Sequence, residues 1–469
     1  MSMIRKTALA AALVPFLLAT THSVSAETIA GAMAKTYANN PDLNAARAAL
    51  RAIDENVTIA KAAMRPQVSG VAEATAARRT FDKDQCVESS AFGCIRFGNR
   101  TDTFNSSYGI SITQQIFDGF QTLNRVRSAE ANVLANQEAL RAQEISILLA
   151  AVEAYTNIAR DQAIVVIRQK NLEFLREQLN ASKARLNVGE GTQTDVSLAE
   201  AQLAEAEALL VSAQAALKSS EAVYFQIVGD QPKNIKQPPT AKRGVPRNLD
   251  QAVAAGLRDN PQILSAERSV DAAGYNVKAA EGTMLPGVSL QGDVFKSVND
   301  SGSTNDNVAG SISARVTIPL YQGGAEYGQI RQAKERLGQQ RILVDSARLE
   351  VQQTIISVYT QLEAALASIK ANEAEIEAAN LALKGVIEER NVGQRTTLDV
   401  LIAQQTVLDA QERLVISQRI AVVASYSLLA SMGRLTVRDQ GLQVAEYRAG
   451  DHYQAVKDKW FGLRTVDGR

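Results

Sequence analysis

The sequence predicts a mainly α-helical chain with a small β part: two copies of one unit, each a long antiparallel helical hairpin joined to a pair of strands. Three observations predict it. First, the stretch from about Phe120 to Val188 holds neither Gly nor Pro, enough for one helix about 100 Å long at about 1.5 Å per residue. Second, an apolar seam recurs every seven residues along it, at Ala151, Ile158, Val165, Leu172, Leu179 and Leu186. After a Gly-rich turn the seam resumes at Val196, Leu203, Leu210, Leu217 and Tyr224, the coiled-coil period with a bend in it. Third, the object returns 204 residues later: Val188-Gly189 as Val392-Gly393, Tyr155 as Tyr359, Gly229 as Gly433. The seams return as Ile355, Leu362, Ile369, Ile376 and Leu383, with Arg390 replacing an apolar residue, then as Val400, Val407, Leu414, Ala421 and Leu428.

The N-terminus reads as an export signal over residues 1–26. Arg5 and Lys6 precede an apolar run from Ala8 to Ala19, and Val24-Ser25-Ala26 offers small residues for cleavage. The run is too short for a comfortable membrane span; the alternative is an uncleaved anchor. No Cys stands directly after Ala26, which argues against a lipid-anchored form. Removing Arg5 and Lys6 from 50 basic residues leaves 48 against 50 acidic ones, so nothing marks a nucleic-acid partner. Aromatics make up 5% of the chain, which suits thin layers of closely packed helices. Of the two histidines, His22 falls in the leader and His452 remains. With no phosphate-binding Gly-Lys-Ser/Thr loop and no Gly-x-Ser-x-Gly, no catalytic residues, metal site or cofactor are expected. No later stretch reads as apolar enough for a membrane helix. Cys86 and Cys94, with seven residues between them in a polar segment, read as a small structural disulfide in an exported chain.

The first unit, residues 27–229, opens with a helical segment from Thr28 to Met64, broken near Asn39-Asn40-Pro41; Pro41 suits the first turn of a helix. The second unit, residues 248–433, repeats it from Leu249 to Met284 at an offset of 220: Asn260-Pro261 for Asn40-Pro41, and Met284-x-Pro286 for Met64-x-Pro66. The offset falls to 204 by the long helices, so sixteen residues are missing between Ser289 and Tyr321. They are expected to be missing from a loop tip. In that interval the period becomes two. Val68, Gly70, Ala72, Ala74 and Ala76 alternate with polar residues, as do Tyr108, Ile110 and Ile112. In the second unit Val288, Leu290, Gly292 and Val294, then Gly310, Ile312, Ala314, Val316 and Ile318, do the same. These are four strands of about ten residues. Such alternation fits a tilted barrel strand in a membrane, and equally a half-buried strand of a soluble sheet. Polar loops from about Arg78 to Phe104 and Lys296 to Asn307 join the pairs. A Pro-rich linker, residues 230–247, separates the units. The tail, residues 434–469, loses periodicity, ends near Trp460-Phe461-Gly462-Leu463, and is expected to lie outside the helical body.

Four strands cannot close a barrel, and an open edge in lipid strands backbone groups at several kcal/mol each. Membrane strands would therefore be shared between chains. Two chains give eight strands, whose interior side chains fill; three give twelve, which suits a pore.

The duplication, Pro41 and Pro261, the turns Phe117-Asp118-Gly119 and Tyr321-Gln322-Gly323-Gly324, and the two Val-Gly-x-x-Thr-x-x-Asp-Val tips resemble the TolC-like outer-membrane efflux and secretion channel family. The resemblance runs from Thr28 to Leu435; the tail is similar to the type I secretion branch. It implies a homotrimer in outer-membrane lipid, a twelve-stranded β-barrel with four strands per chain, and a periplasmic α-barrel of long antiparallel helices. It also implies a passive exit duct, joined through a periplasmic adaptor to an inner-membrane ABC or proton-driven pump. On this footing Val188, Gly189, Gly191, Val392 and Gly393 are adaptor-docking candidates, with the glycines permitting tight reversals. Asp399, Arg395, Asp195 and Ile402 are gate candidates. Asp195 and Asp399 also suit a helix N-terminus without any gate. A ring of three Asp399 carboxylates would attract cations and raise its own pKa. Arg395 and Asp195 match linking residues of the family. Ile402 stands where its best-known pattern has a second carboxylate, and Arg390 where it has an aromatic linker. The rival readings are a periplasmic adaptor, which ordinarily carries one hairpin, and a structural coiled-coil protein of the envelope.

Overall fold

The computed structural model describes residues 27–80, 85–89, 93–97, 100–241, 243–299 and 307–468. The leader read at residues 1–26 and the side chains of Cys86 and Cys94 lie outside the described residues.

The first unit consists of α1 (Ile29–Asn39), α2 (Pro41–Ala62), β1 (Gln67–Thr80), β2 (Gln85–Ser89), β3 (Gly93–Phe97), β4 (Arg100–Phe117), α3 (Gln121–Asn187) and α4 (Gln193–Val228). The second consists of α5 (Leu249–Asp259), α6 (Pro261–Glu281), a 3-10 turn at Gly282–Met284, β5 (Gly287–Asn299), β6 (Asn307–Thr317), α7 (Ala325–Asn391) and α8 (Thr397–Ser431). The tail adds α9 (Val437–Gln440) and α10 (Ala449–Val456). Both α3 and α7 have 67 residues, hence a length near 100 Å. The seam is the packed face of each hairpin: Ala151, Ile158, Leu172, Val196, Tyr224, Ile355, Leu362, Leu383, Val400, Val407, Ala421 and Leu428 are buried.

The two units repeat in their joints. Asn40 and Asn260 cap α2 and α6, with Pro41 and Pro261 in the first turn. Each Asn also donates its amide to the end of its own unit's hairpin, Asn40 to Ile227 O at 3.0 Å and Asn260 to Ser431 O at 2.7 Å. Tyr155 donates its hydroxyl to Glu27 O (2.7 Å) and Lys236 O (3.1 Å), and its counterpart Tyr359 donates to Arg247 O at 3.4 Å. The linker is thus tied to the middle of both long helices. The main hydrophobic core lies at this level, where α1, α2, α5, the linker and α9 wrap α3 and α7 around Tyr37, Leu148, Tyr155, Ile263, Ile355 and Leu428.

The strands form an antiparallel sheet of order β1-β4-β5-β6. Its register puts Val68 opposite Ile112, Ile112 opposite Gly292, and Gly292 opposite Ile312. The other parity puts Ser69 opposite Ser111, Ser111 opposite Asp293, and Asp293 opposite Ser311. One face is therefore apolar across all four strands and the other largely polar. The apolar face is uncovered: Val68 is 66% and Ile312 83% exposed. Phe295 lies over Gly109 on the polar side, where an added Cβ would come within 2.4 Å of its ring.

The four expected strands form the sheet, and the described residues add a separate hairpin, β2 and β3, inside the first loop. Three expectations need correcting. The sheet strands are longer than about ten residues, at 14, 18, 13 and 11. The sixteen extra residues of the first unit are not all in its loop. The β1–β4 ladder pairs fourteen positions and β5–β6 eleven, and the tips between the last pairs hold nineteen residues (81–99) and nine (298–306). Six of the sixteen thus lengthen the strands and ten the tip. Finally, α8 contains an 18-residue window of mean hydropathy 1.4, apolar enough for a membrane helix by length and composition. Its apolar content serves packing: Val400, Leu401, Val407, Leu408, Ala421 and Leu428 are buried, and α8 lies along α7 and α3.

Candidate functional site at the helical tips

Each long helix ends in the same motif. Gly189 and Gly393 are left-handed, with φ of 79° and 80°. Gly189 N donates to Leu186 O (3.1 Å) and Glu190 N to Arg185 O (2.9 Å); Gly393 N donates to Arg390 O (3.0 Å) and Gln394 N to Glu389 O (2.8 Å). These bonds satisfy carbonyls that a helix end would otherwise leave open. Gly191 differs from expectation. Its φ is not left-handed; an added Cβ would lie 3.2 Å from Arg185 Cβ, so close approach sets its place. Val188 and Val392 are 71% and 72% exposed, an apolar pair at the far end of the molecule.

The returning helices begin with paired caps. Asp195 N donates to Thr192 Oγ1 at 3.2 Å, while Asp195 Oδ2 accepts from Thr192 N (3.1 Å) and Thr192 Oγ1 (2.7 Å). Asp399 repeats this with Thr396, whose N and Oγ1 lie 2.9 and 2.8 Å from Asp399 Oδ2. Within one chain both carboxylates therefore do the work of a capping box. Their pKa values move down, not up. The Thr192 hydroxyl is the leading cause for Asp195, with help from the Thr397 side chain. The Thr396 backbone N–H is the leading cause for Asp399. The upward shift expected of a ring needs like charges from other copies.

Arg395 does not meet Asp195 within the chain. Its Nε donates to Glu389 Oε2 at 2.9 Å, across its own tip. Ile402 is 57% exposed and one turn beyond Asp399. Arg390 is buried and donates to Gln178 of α3, and to Asn391 Oδ1 at 3.3 Å. Burial, then the neighbouring Arg185, lowers its pKa. Arg185 reaches Asn391 Oδ1 at 3.1 Å. The ends of α3 and α7 are thus joined by a polar patch that replaces one step of the apolar seam. Higher up, Arg168 of α3 pairs with Glu412 of α8 at 2.8 Å, and Gln404 donates to Asn171 at 2.9 Å. Sequence reasoning missed Gln178, Glu389 and Thr397. The Thr-x-x-Asp spacing foretells the caps; nothing comparable foretells which faces of neighbouring helices meet.

The architecture so assembled can be set beside known proteins. The model of the outer membrane efflux protein family matches residues 33–230 and 254–434. The chain belongs to that family. Outer membrane efflux protein BepC of Brucella suis is 45% identical, over 98% of this chain and 97% of BepC. Outer membrane protein TolC of Escherichia coli is 24% identical over 86% of this chain and 81% of TolC. The solved Campylobacter jejuni CmeC outer membrane channel superposes with a TM-score of 0.76 at 14% identity, covering 93% of this chain and 90% of CmeC. The fold is therefore that of the α/β-barrel channels, and the protein belongs to the outer membrane.

Proposed function

We propose that three copies of this chain form a passive exit duct through the outer membrane, gated at the helical tips and loaded by an energised assembly. The observation that carries the reading is a mismatch between two faces that the repeat makes equivalent. Within the chain, α3 packs along α6 of the other unit. Among the described residues no comparable packing joins α7 to α2. On α7, Leu349 is 67% exposed, whereas its counterpart Ile145 on α3 is 6% exposed. On α2, Ile59 is 67% exposed, whereas its counterpart Ala279 on α6 is 7% exposed. A second copy placed by the repeat would lay its α2 on this α7 and cover both. The same operation brings β6 of one copy against β1 of the next. It satisfies two strand edges that the single chain leaves open, and three copies give a twelve-stranded barrel.

Below the membrane the hairpins continue as a tunnel wall. Val188, Gly189, Gly191, Val392 and Gly393 form the docking rim for a periplasmic adaptor, itself joined to an ABC or proton-driven pump. Asp399 supplies the acidic constriction, with Ile402 as an apolar level beside it. Arg395 and Asp195 are the links between tips of adjacent copies. The relationship to an efflux protein at 45% identity favours efflux as the duty, with type I secretion the alternative load on the same duct. Residues 27–229, 230–247, 248–433 and 434–469 act as unit, linker, unit and tail.

The test is single-channel recording of purified protein in a planar bilayer, with multivalent cations added to each side in turn. Small cation-selective openings, blocked from the tip side alone, are expected. Absence of insertion from a folded, detergent-stable sample would return the chain to the adaptor or coiled-coil readings.

A further inference from the structure

The C-terminal tail carries features that neither the duct nor the tips use. Its helix α10 lies along α2, held by His452 Nδ1 against Asp54 Oδ2 at 2.8 Å and by Thr58 Oγ1 donating to Val456 O at 2.8 Å. Beyond α10 the chain climbs α2 toward the sheet. Lys61 Nζ donates to Lys457 O at 3.0 Å and pairs with Asp458 at 2.7 Å; Arg65 donates to Lys459 O at 2.9 Å. The Arg65 guanidinium sits 4.6 Å from the centre of the Trp460 ring. Arg65 is two residues before Gln67, where β1 begins. The climb therefore ends at the level where the strands leave water for lipid.

At that level the tail turns apolar and outward. Trp460, Phe461 and Leu463 are 58%, 85% and 104% exposed. Exposed aromatic and aliphatic side chains at a membrane edge are the composition of an interfacial belt. The adjoining rim is of the same kind: Met64, Phe117, Phe120 and Leu123 line an apolar hollow of 410 Å³ with Lys61 at its edge. Charge complements it. The two acids of the segment are engaged by α2, Asp458 by Lys61 and Asp467 by Arg51 at 3.6 Å. Lys457, Lys459 and Arg464 then give the segment a cationic surplus beside Arg65, suited to lipid phosphates.

We propose that Trp460–Leu463 is an interfacial anchor that enters the periplasmic leaflet of the outer membrane, with Lys457, Lys459 and Arg464 at phospholipid headgroups. The proposal rests on the outer-membrane reading of the sheet. A neighbouring copy is the weaker occupant. The junction that the repeat makes equivalent to residues 62–66 is already closed inside the chain by backbone: a Cβ at Gly119 would lie 2.3 Å from Gly282 O. The tail has no counterpart in the second unit and stays outside a joint of that kind.

Trp460 is the single tryptophan of the sequence, so its emission reports on this segment alone. The mature chain is folded into vesicles of phosphatidylethanolamine and phosphatidylglycerol, part of the lipid being replaced by phosphatidylcholine brominated high or low on its acyl chains. Trp460 emission should be blue-shifted and lose most of its intensity to the high bromines, less to the low ones. Flotation with the vesicles and heat-sensitive oligomer migration are followed on the same sample. A chain that floats but whose emission ignores both brominated lipids contradicts the anchor; a blue-shifted emission in that case assigns the segment to protein contact. A chain that does not float contradicts the barrel as well.

Discussion

Replacing Asn40 by Ala should unfasten α2 from the end of α4. Asn40 Oδ1 accepts from Leu43 N at 3.0 Å, its Nδ2 donates to Ile227 O at 3.0 Å, and the residue is 5% exposed. Losing the cap costs about 1 kcal/mol. Stranding the Ile227 carbonyl in a nearly dry site costs about 1–3 kcal/mol more. The combined loss of about 2–4 kcal/mol corresponds to opening roughly 30-fold to roughly 900-fold more often. Hydrogen exchange with mass readout, on the purified assembly, measures it as lost protection in residues 41–44 and 225–228. Two further variants divide the effect. Asn40→Ser keeps an acceptor for Leu43 N but cannot reach the carbonyl. Asn40→Asp keeps the cap and turns a carboxylate oxygen toward Ile227 O. Both should expose residues 225–228 while sparing residues 41–44, and Asn260→Asp should do the same at the end of α8, where the donor reaches Ser431 O at 2.7 Å. Wild-type protection at residues 225–228 in Asn40→Asp would refute the reasoning, since the amide–carbonyl link would then not be what joins the helices.

Other perturbations follow from the same geometry. Gly119→Ala should damage the monomer itself, because φ is 67° and the Cβ would meet Gly282 O at 2.3 Å; Gly323→Ala shares the backbone strain of a φ of 72° but has open space in the single chain, so it should harm the monomer less and assembly more, both read as folded monomer against heat-sensitive oligomer. His452→Ala strands the buried Asp54 carboxylate and should weaken tail docking by up to about 3 kcal/mol, seen as faster proteolysis within residues 449–456. Capping lowers the pKa of Asp195 and Asp399, so their contribution is present above the unfolded carboxyl value of about 3.9 and is lost as pH falls through the lower folded values. In the monomer, protection factors at residues 193–196 and 397–400, corrected for the intrinsic pH dependence of exchange, should therefore fall on acidification below that range and stay flat above it. Asp399→Ala should lower cation block of the closed channel; unchanged block in planar bilayers would take Asp399 off the pore axis.

Much of this fold was legible because its rules are local or periodic. A seven-residue seam, a Gly pair and a 204-residue offset are enough to draw two hairpins, and the burial of Ile158 and Ile355 follows from that drawing. Asn-Pro at residues 40–41 and 260–261 marks helix starts by capping chemistry alone. The hairpin β2–β3 escaped because two five-residue strands are too short to establish a period. The tips were half legible. Thr192 to Asp195 and Thr396 to Asp399 are capping spacings, so the bland role of both carboxylates was open to reading. The partners of Arg390 and Arg395 were not, because a heptad says which residues face inward and not how one helix is rotated against the next. Even so, the departure at Arg390 was visible as a charge in an apolar seam, and the structure answers it with Gln178. The tail's path along α2 depends on single contacts such as His452 with Asp54, which leave no pattern in sequence.

The central claim, that the repeat within one chain is continued between chains and closes at three, is tested most directly by a cross-link placed by the repeat. Within the chain Ser128 Oγ donates to Ala272 O at 3.1 Å, joining α3 to α6. The offsets of 204 and 220 carry this contact to Gln332 of one copy and Ala52 of the next. In the variant combining Ala52→Cys with Gln332→Cys, oxidation in outer membranes should yield covalent dimer and trimer, with no larger species and with neither single variant forming them. Monomer alone, or a ladder running past three, would contradict the account.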